Sequence, residues 1–268
     1  MCFIVFEWQP EERRLTLASN RDEFYARPTS PAHFWADRDH PDLLAGRDER
    51  GGGTWMGVTR DGRWAALTNV REPDRHTSDA PSRGDLVADF LQGDALPEAY
   101  ARAVAERGAR YNGFNLLLGY LDEAAPSLWY VSNCVAEPRR LRAGRYGLSN
   151  AALDTPWPKV VRGKAYLARA VDTQTGPIAE ALLAALADDT QAPDDALPDT
   201  GVGLDWERRL SPIHIASEAY GTRAATVLHV SSGQVAFTEQ TYAATGPVGA
   251  PRHFGFALRA NGRTTPTE

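Results

Sequence analysis

The sequence predicts an α+β protein built on two mainly antiparallel sheets, with helices segregated onto the outer faces. Three observations carry this reading. Strand-like and helix-like segments come in blocks (strands, helices, strands, helices, strands), and the lack of one-for-one alternation argues against a doubly wound parallel sheet. The pair Asp61-Gly62 separates two apolar runs, as in an antiparallel hairpin. At 268 residues, 43% hydrophobic and 24% charged, the chain can bury one sizeable core. There is no internal repeat, and the whole of 1–268 is expected to form a single domain.

Residues 2–8 and 14–19 read as the first strands. In the second, Leu15 and Leu17 alternate with Thr16 and Ala18, the period of a half-buried strand. A proline-rich loop containing Arg27-Pro28 and Ser30-Pro31 follows, then Gly51-Gly52-Gly53 and strands over 54–59 and 63–69. Helical signals begin at Ser82-Arg83-Gly84-Asp85, which resembles a capping box ahead of Leu86, Val87, Phe90 and Leu91. A second helix starts at Pro97, with Tyr100 and Val104 on one face. Strands are expected over 114–121, 127–133 and 146–150, and helices over 155–172 and 178–187. The acidic, proline-containing stretch 188–203 reads as a surface loop. Two strands, 223–231 and 234–239, turn at Gly233.

The net charge of −6 argues against nucleic acid or an anionic membrane as the main partner, since both need a basic footprint. Two cysteines, Cys2 and Cys134, make neither a disulfide framework nor a CxxC metal motif. No basic, apolar leader opens the chain, and no stretch is long enough for a membrane span. A cytoplasmic location is therefore expected, where a thiol stays reduced. The LPxTG match at Leu197-Pro198-Asp199-Thr200-Gly201 lacks a following apolar segment and basic tail, and is read as a chance match.

Polar residues collect where strands end: Asn20-Arg21-Asp22-Glu23, Asn69 with Arg71, Asn150, and Gly221-Thr222-Arg223. Strand ends project side chains from a rigid scaffold into a shared crevice, although Asn and Asp also terminate strands simply because they suit turns. Cys2 gives the set chemical sense. Once Met1 is removed, Cys2 carries an α-amine with a pKa of about 7.7–8.0 beside a thiol near ~8.5. That amine can take the thiol proton, so no histidine is required. A nearby Asp would orient the amine, an Arg would favour thiolate, and Asn amides would donate to a developing oxyanion.

The stretches Asn20-Arg21-Asp22-Glu23, Gly52-Gly53-Thr54-Trp55-Met56-Gly57, Tyr111-Asn112-Gly113-Phe114-Asn115, Leu148-Ser149-Asn150 and Tyr220-Gly221-Thr222-Arg223 together resemble the NRDE family, of the transport-and-Golgi-organization type. The resemblance spans Cys2 to about Glu239. That family is similar, more distantly, to N-terminal-nucleophile hydrolases of the choloylglycine hydrolase and penicillin V acylase type. It implies a four-layer αββα sandwich. It also implies Cys2 as nucleophile, Arg21 and Asp22 as its activating pair, Asn69 and Asn150 as oxyanion and amine-orienting amides, and Arg223 as the late arginine. One departure stands out: Arg21 and Asp22 are adjacent, and adjacent strand residues face opposite ways unless a bulge or turn re-aims one.

Two functional classes follow from the resemblance. The first is a hydrolase or acyltransferase acting on a linear carbon–nitrogen amide or a thioester, needing no cofactor. The second is a non-catalytic carrier of haem, acyl-coenzyme A or lipid in the same cleft. For the carrier, Trp8, Phe24, Trp35, Trp55, Trp64 and Trp157 supply apolar surface, and His33, His40, His76, His214 and His229 are the candidate haem ligands, none selected by spacing. A third reading is an interaction module in which Cys2 only packs. Cys134, beside Asn133, reads as a small buried hydrophobe or as a second lining residue of the cleft.

Overall fold

The computed structural model describes residues 2–121, 126–135, 137–173 and 176–259. The expected removal of Met1 concerns a residue outside the described ones.

Strands β1 (Cys2–Gln9) and β2 (Arg14–Phe24) pair antiparallel, with Cys2 opposite Arg21 and Ile4 opposite Ser19. Both faces of β1 are buried, which is why its sequence runs apolar from Cys2 to Phe6 and again at Trp8, with the buried Glu7 paired to Arg14 and Arg145. Ile4, Phe6 and Trp8 enter one hydrophobic cluster, whereas Phe3 and Val5 enter another. Next come β3 (Thr29–Trp35), β4 (His40–Asp48), β5 (Met56–Thr59) and β6 (Arg63–Asn69). The stretch around Arg27-Pro28 and Ser30-Pro31, expected to be loop, thus runs directly into two further strands. Pro31 is tolerated because β3 is an edge strand of its sheet. The Asp61-Gly62 hairpin forms, but only Gly62 takes a positive φ, +88°, so the turn is a longer loop closed by a left-handed glycine.

Helices α1 (Gly84–Gln92) and α2 (Pro97–Arg107) follow. Ser82 makes no side-chain cap bond to α1, whose first position is preceded by Arg83. The expected capping box does not form, and Ser82 lines a cavity. Then come β7 (Phe114–Tyr120), β8 (Ser127–Ser132), the two-residue β9 (Arg139–Arg140) and β10 (Gly144–Leu148). Helices α3 (Pro158–Thr173), α4 (Ile178–Leu186) and α5 (Leu204–Leu210) precede β11 (Tyr220–Ser231), β12 (Gln234–Ala243) and β13 (Gly246–Ala257).

Two antiparallel sheets result, one ordered β10-β1-β2-β11-β12-β13 and the other β3-β4-β5-β6-β7-β8-β9. Their inner faces pack together through Ile4, Phe6, Trp8, Trp64, Leu117, Leu148 and Leu228. Helices α1 and α2 cover the second sheet through Phe90, Leu86 and Val104. Helices α3 and α4 cover the first sheet through Val160, Leu167 and Leu182. The layers are helix, sheet, sheet, helix, as expected. Among the described residues no helix is long and apolar enough to cross a membrane.

The two sheets are tied by hydrogen bonds at one end. Thr68 Oγ1 donates to the Ser149 carbonyl at 2.6 Å, Asn115 Nδ2 reaches Thr68 Oγ1 at 3.0 Å, and the Arg71 N–H donates to the Asn150 carbonyl at 2.8 Å. This fixes the ends of β6 and β10 relative to each other, which is what a site assembled from strand tips requires.

Candidate functional site

At that end, Cys2, Arg21, Asp22 and Asn69 line one cavity of about 130 Å³. Cys2 and Arg21 are directly opposed across β1 and β2, so their side chains share the inner face of the sheet. The Arg21 guanidinium lies 4.4 Å from the centre of the Trp55 ring, and donates to Thr29 Oγ1 at 3.1 Å and to Asp48 at 3.4 Å. Asp22 follows the strand's alternation: its carboxylate accepts from Thr222 Oγ1 at 2.8 Å, and Thr222 in turn accepts the Ile215 N–H. Its neighbour Asn20, on the same side, bonds the carbonyls of Leu186 and Ile213 beneath α4. The adjacent pair therefore does point to opposite faces. Asp22 still lines the cavity, and its backbone N–H turns toward the Cys2 sulfur.

The register of β11 slips beside this pair. Thr222 opposes Asp22 and Ala224 opposes Arg21, which leaves Arg223 as the extra residue of a bulge. The bulge swings Arg223 outward, where Nη1 bridges the carbonyls of Phe24, Tyr25 and Arg27. Arg223 clamps the loop after β2 and does not line the cavity. Asn150 is also one step back: its Nδ2 donates to the Asn69 carbonyl at 2.9 Å, holding the backbone of a residue that lines the cavity.

Several lining residues were not singled out from the sequence. Asp48 caps the turn that carries Gly51-Gly52-Gly53: its carboxylate accepts the N–H groups of Arg50 and Gly51, and Gly52 takes a φ of +78°. At Gly53 any Cβ would fall 2.6 Å from the Gly84 carbonyl, so only glycine lets this loop close against the start of α1. That contact brings Ser82, Arg83 and Gly84 to the wall beside Thr54 and Trp55. Arg27 joins Asp48 at 2.7 Å.

The electrostatics follow from burial. Burial pushes the Cys2 thiol above its ordinary value and the Asp22 charge pushes it the same way, while Arg21 and the Asp22 N–H pull it down. Burial likewise raises Asp22, opposed by Lys159 and by the Thr222 hydrogen bond. For Asp48 burial is outweighed by Arg27, the Gly51 N–H and Arg21, and the carboxyl is held below the usual range.

Lys159 is the other residue missed. It is 2% exposed on α3, and its Nζ donates to the Leu210 carbonyl at 2.9 Å. It heads the buried stripe of Gly163, Leu167 and Val171, so a lysine on the apolar face of a helix was the available signal. Burial lowers its pKa to about 8, against the attraction of Asp22. The unfolded chain keeps this proton up to about 10.5. Between those values the unfolded state binds more protons, so stability rises with pH. Urea midpoints of the wild type and Lys159→Met, compared from pH 7.5 to 10, should show the wild type gaining on the order of 1–3 kcal/mol relative to the variant.

The residues proposed from sequence for other roles lie elsewhere. Trp8 and Trp64 are core between the sheets, and Trp35 is core under α1. Phe24 is exposed, and Trp157 stacks on Arg71 at 4.9 Å. Of the six aromatics only Trp55 lines the Cys2 cavity, and none of the five candidate histidines does. Cys134 is an exposed thiol 3.6 Å from Glu72, not among the residues that line the cavity and not buried as a hydrophobe.

The chain is similar to several known proteins. The family model described as Transport and Golgi organisation 2 matches residues 1–244. The Transport and Golgi organization protein 2 homolog of Bos taurus is 38% identical over 267 residues, covering 92% of this chain and 95% of its own. The Homo sapiens homolog is 38% identical over 260 residues, covering 90% and 93%. Among solved structures, the C2A mutant of a conjugated bile acid hydrolase from Clostridium perfringens aligns with a TM-score of 0.45 at 8% identity, over 96% of this chain and 92% of that one. On the family match and the two homologs, the chain belongs to the Transport and Golgi organisation 2 family.

Proposed function

We propose that, with Met1 removed in the reducing cytosol, Cys2 is an N-terminal nucleophile that cleaves a linear carbon–nitrogen amide or a thioester, passing the acyl group to water or another acceptor. The observation that carries this is the convergence of Cys2, Arg21, Asp22 and Asn69 on one small polar cavity. The buried thiol has a raised pKa and needs a base, and the Cys2 α-amine is the nearest one possible. It takes the thiol proton as the sulfur attacks the carbonyl carbon and a C–S bond forms. The oxyanion accepts a hydrogen bond from the Asn69 amide, a contact worth ~2.7–4 kcal/mol in comparable sites. Collapse breaks the scissile C–N or C–S bond, and the ammonium returns the proton to the leaving group. Water then attacks acyl-Cys2, a carboxylic acid departs, and the thiol is restored.

Asp22 orients the amine, Arg21 stabilises developing thiolate, and Asn150 acts through Asn69 as a positioning residue. The charged walls and a volume of about 130 Å³ favour this over carriage of a haem or a whole acyl chain in the same cavity, since sites that enclose such ligands are larger and mainly apolar. The intact mass of the purified protein checks the premise. The expected mass lacks one methionine residue; a chain that retains Met1 excludes the amine as base.

A further inference from the structure

The cavity's cations and acids balance in number but not in pairing. Arg21, Arg27 and Arg83 line it together with three carboxylates, Asp22, Glu23 and Asp48. Asp48 is shared by Arg27 at 2.7 Å and Arg21 at 3.4 Å, and also accepts two backbone N–H groups. Glu23 lies 3.8 Å from Arg27 and accepts the Phe24 N–H. Asp22, the third acid of the wall, faces the charge of Lys159 on the other side of the sheet. Arg83 forms no ion pair among the described residues: Nη1 donates to the Gly113 carbonyl at 3.0 Å, and the groups whose negative charge supports its own are Cys2, once ionised, and Glu23. A guanidinium held by one edge keeps its remaining N–H groups in a planar fork, which matches a carboxylate.

We propose that Arg83 anchors a carboxylate on the substrate, so that the cavity takes amides or thioesters whose acyl group carries an acidic group a few atoms from the scissile carbonyl. The turnover this implies rests on the Cys2 reading above. Binding of the anion does not.

The test uses two alkylating probes of nearly equal size, iodoacetate and iodoacetamide, in a Cys134→Ser background that removes the exposed thiol. In each reaction the Cys2 sulfur displaces iodide, an S–C bond replaces C–I, and the thiol proton passes to solvent. Peptide mass spectrometry reads both rates at Cys2. The expected result is a raised iodoacetate-to-iodoacetamide rate ratio that falls about tenfold in Arg83→Met, with the iodoacetamide rate nearly unchanged, the size expected for one charge-assisted contact. Arg83→Lys should retain part of the preference, because it keeps the charge and loses the fork. An unchanged ratio, or an equal loss of both rates, would overturn the proposal by reducing Arg83 to packing. If Cys2 reacts with neither reagent, calorimetric titration with succinate decides: saturable binding lost in Arg83→Met supports the anchor, and no binding to the wild type refutes it. Cys2 alkylating without preference would leave the nucleophile reading standing while this one fails.

Discussion

Cys2→Ala is expected to lower kcat/KM on any amide or thioester substrate by at least a thousandfold, while the protein stays folded. Losing the nucleophile of a covalent mechanism removes every step that passes through it, and such deletions reach roughly a millionfold in comparable hydrolases. The structural cost should be small. Cys2 begins β1 at the sheet's end and is 7% exposed, so trimming its sulfur opens only a small void, worth about 1 kcal/mol. Thermal melts of the variant should therefore nearly superimpose on the wild type while turnover vanishes. If Cys2 were only a packed strand residue, the reverse pattern would appear, with activity kept and at most a modest loss of stability.

The largest loss of stability should come from the pair behind the cavity. Arg71 and Glu207 are 9% and 3% exposed and bridge at 2.5 Å, linking the chain just after β6 to α5. Glu207 also accepts the Thr200 N–H and hydroxyl, and Arg71 stacks on Trp157. Arg71→Met strands a buried carboxylate and Glu207→Gln a buried guanidinium, and removing one member of such a pair costs ~3–5 kcal/mol. For a chain of this size that corresponds to a midpoint lowered by roughly 10 °C. Arg71→Met should cost more, since it also takes the cation from the Trp157 ring. The double variant should lose less than the sum, because the second change removes the stranded charge. Additive losses in urea melts would show that the two residues do not act as a pair.

The fold was legible where periodicity and turn chemistry were local. The β1–β2 hairpin, the Asp61-Gly62 turn and the stripes of α3 and α4 all announce themselves within a few residues. Strands β3 and β13 do not. Pro31 disguises β3, an edge strand whose missing N–H costs nothing there, and β13 is an edge strand carrying Gly246, Pro247, Gly249 and Pro251 with mostly exposed side chains. Helix α5 is only seven residues long, too short for a periodic signal. At the candidate site the strand tips were readable, since Cys2, Arg21, Asp22 and Asn69 each close or open an apolar run. Arg27 and Arg83 come from connections and Asp48 from the last position of β4, and their meeting depends on the glycine loop closing against α1, a tertiary event with no local trace. Arg223 is the opposite case: its position in the chain suggested the site, and a one-residue bulge turns its guanidinium to the carbonyls of the 24–27 loop.

A rapid acid quench of the protein with succinyl-coenzyme A and, separately, a succinyl 4-nitroanilide, followed by peptide mapping, tests the covalent route most directly. The account predicts a succinyl group on the sulfur of an amino-terminal Cys2, labile to hydroxylamine and missing from Cys2→Ala. Steady consumption of either compound with Cys2 unmodified, or undiminished in Cys2→Ala, would contradict it.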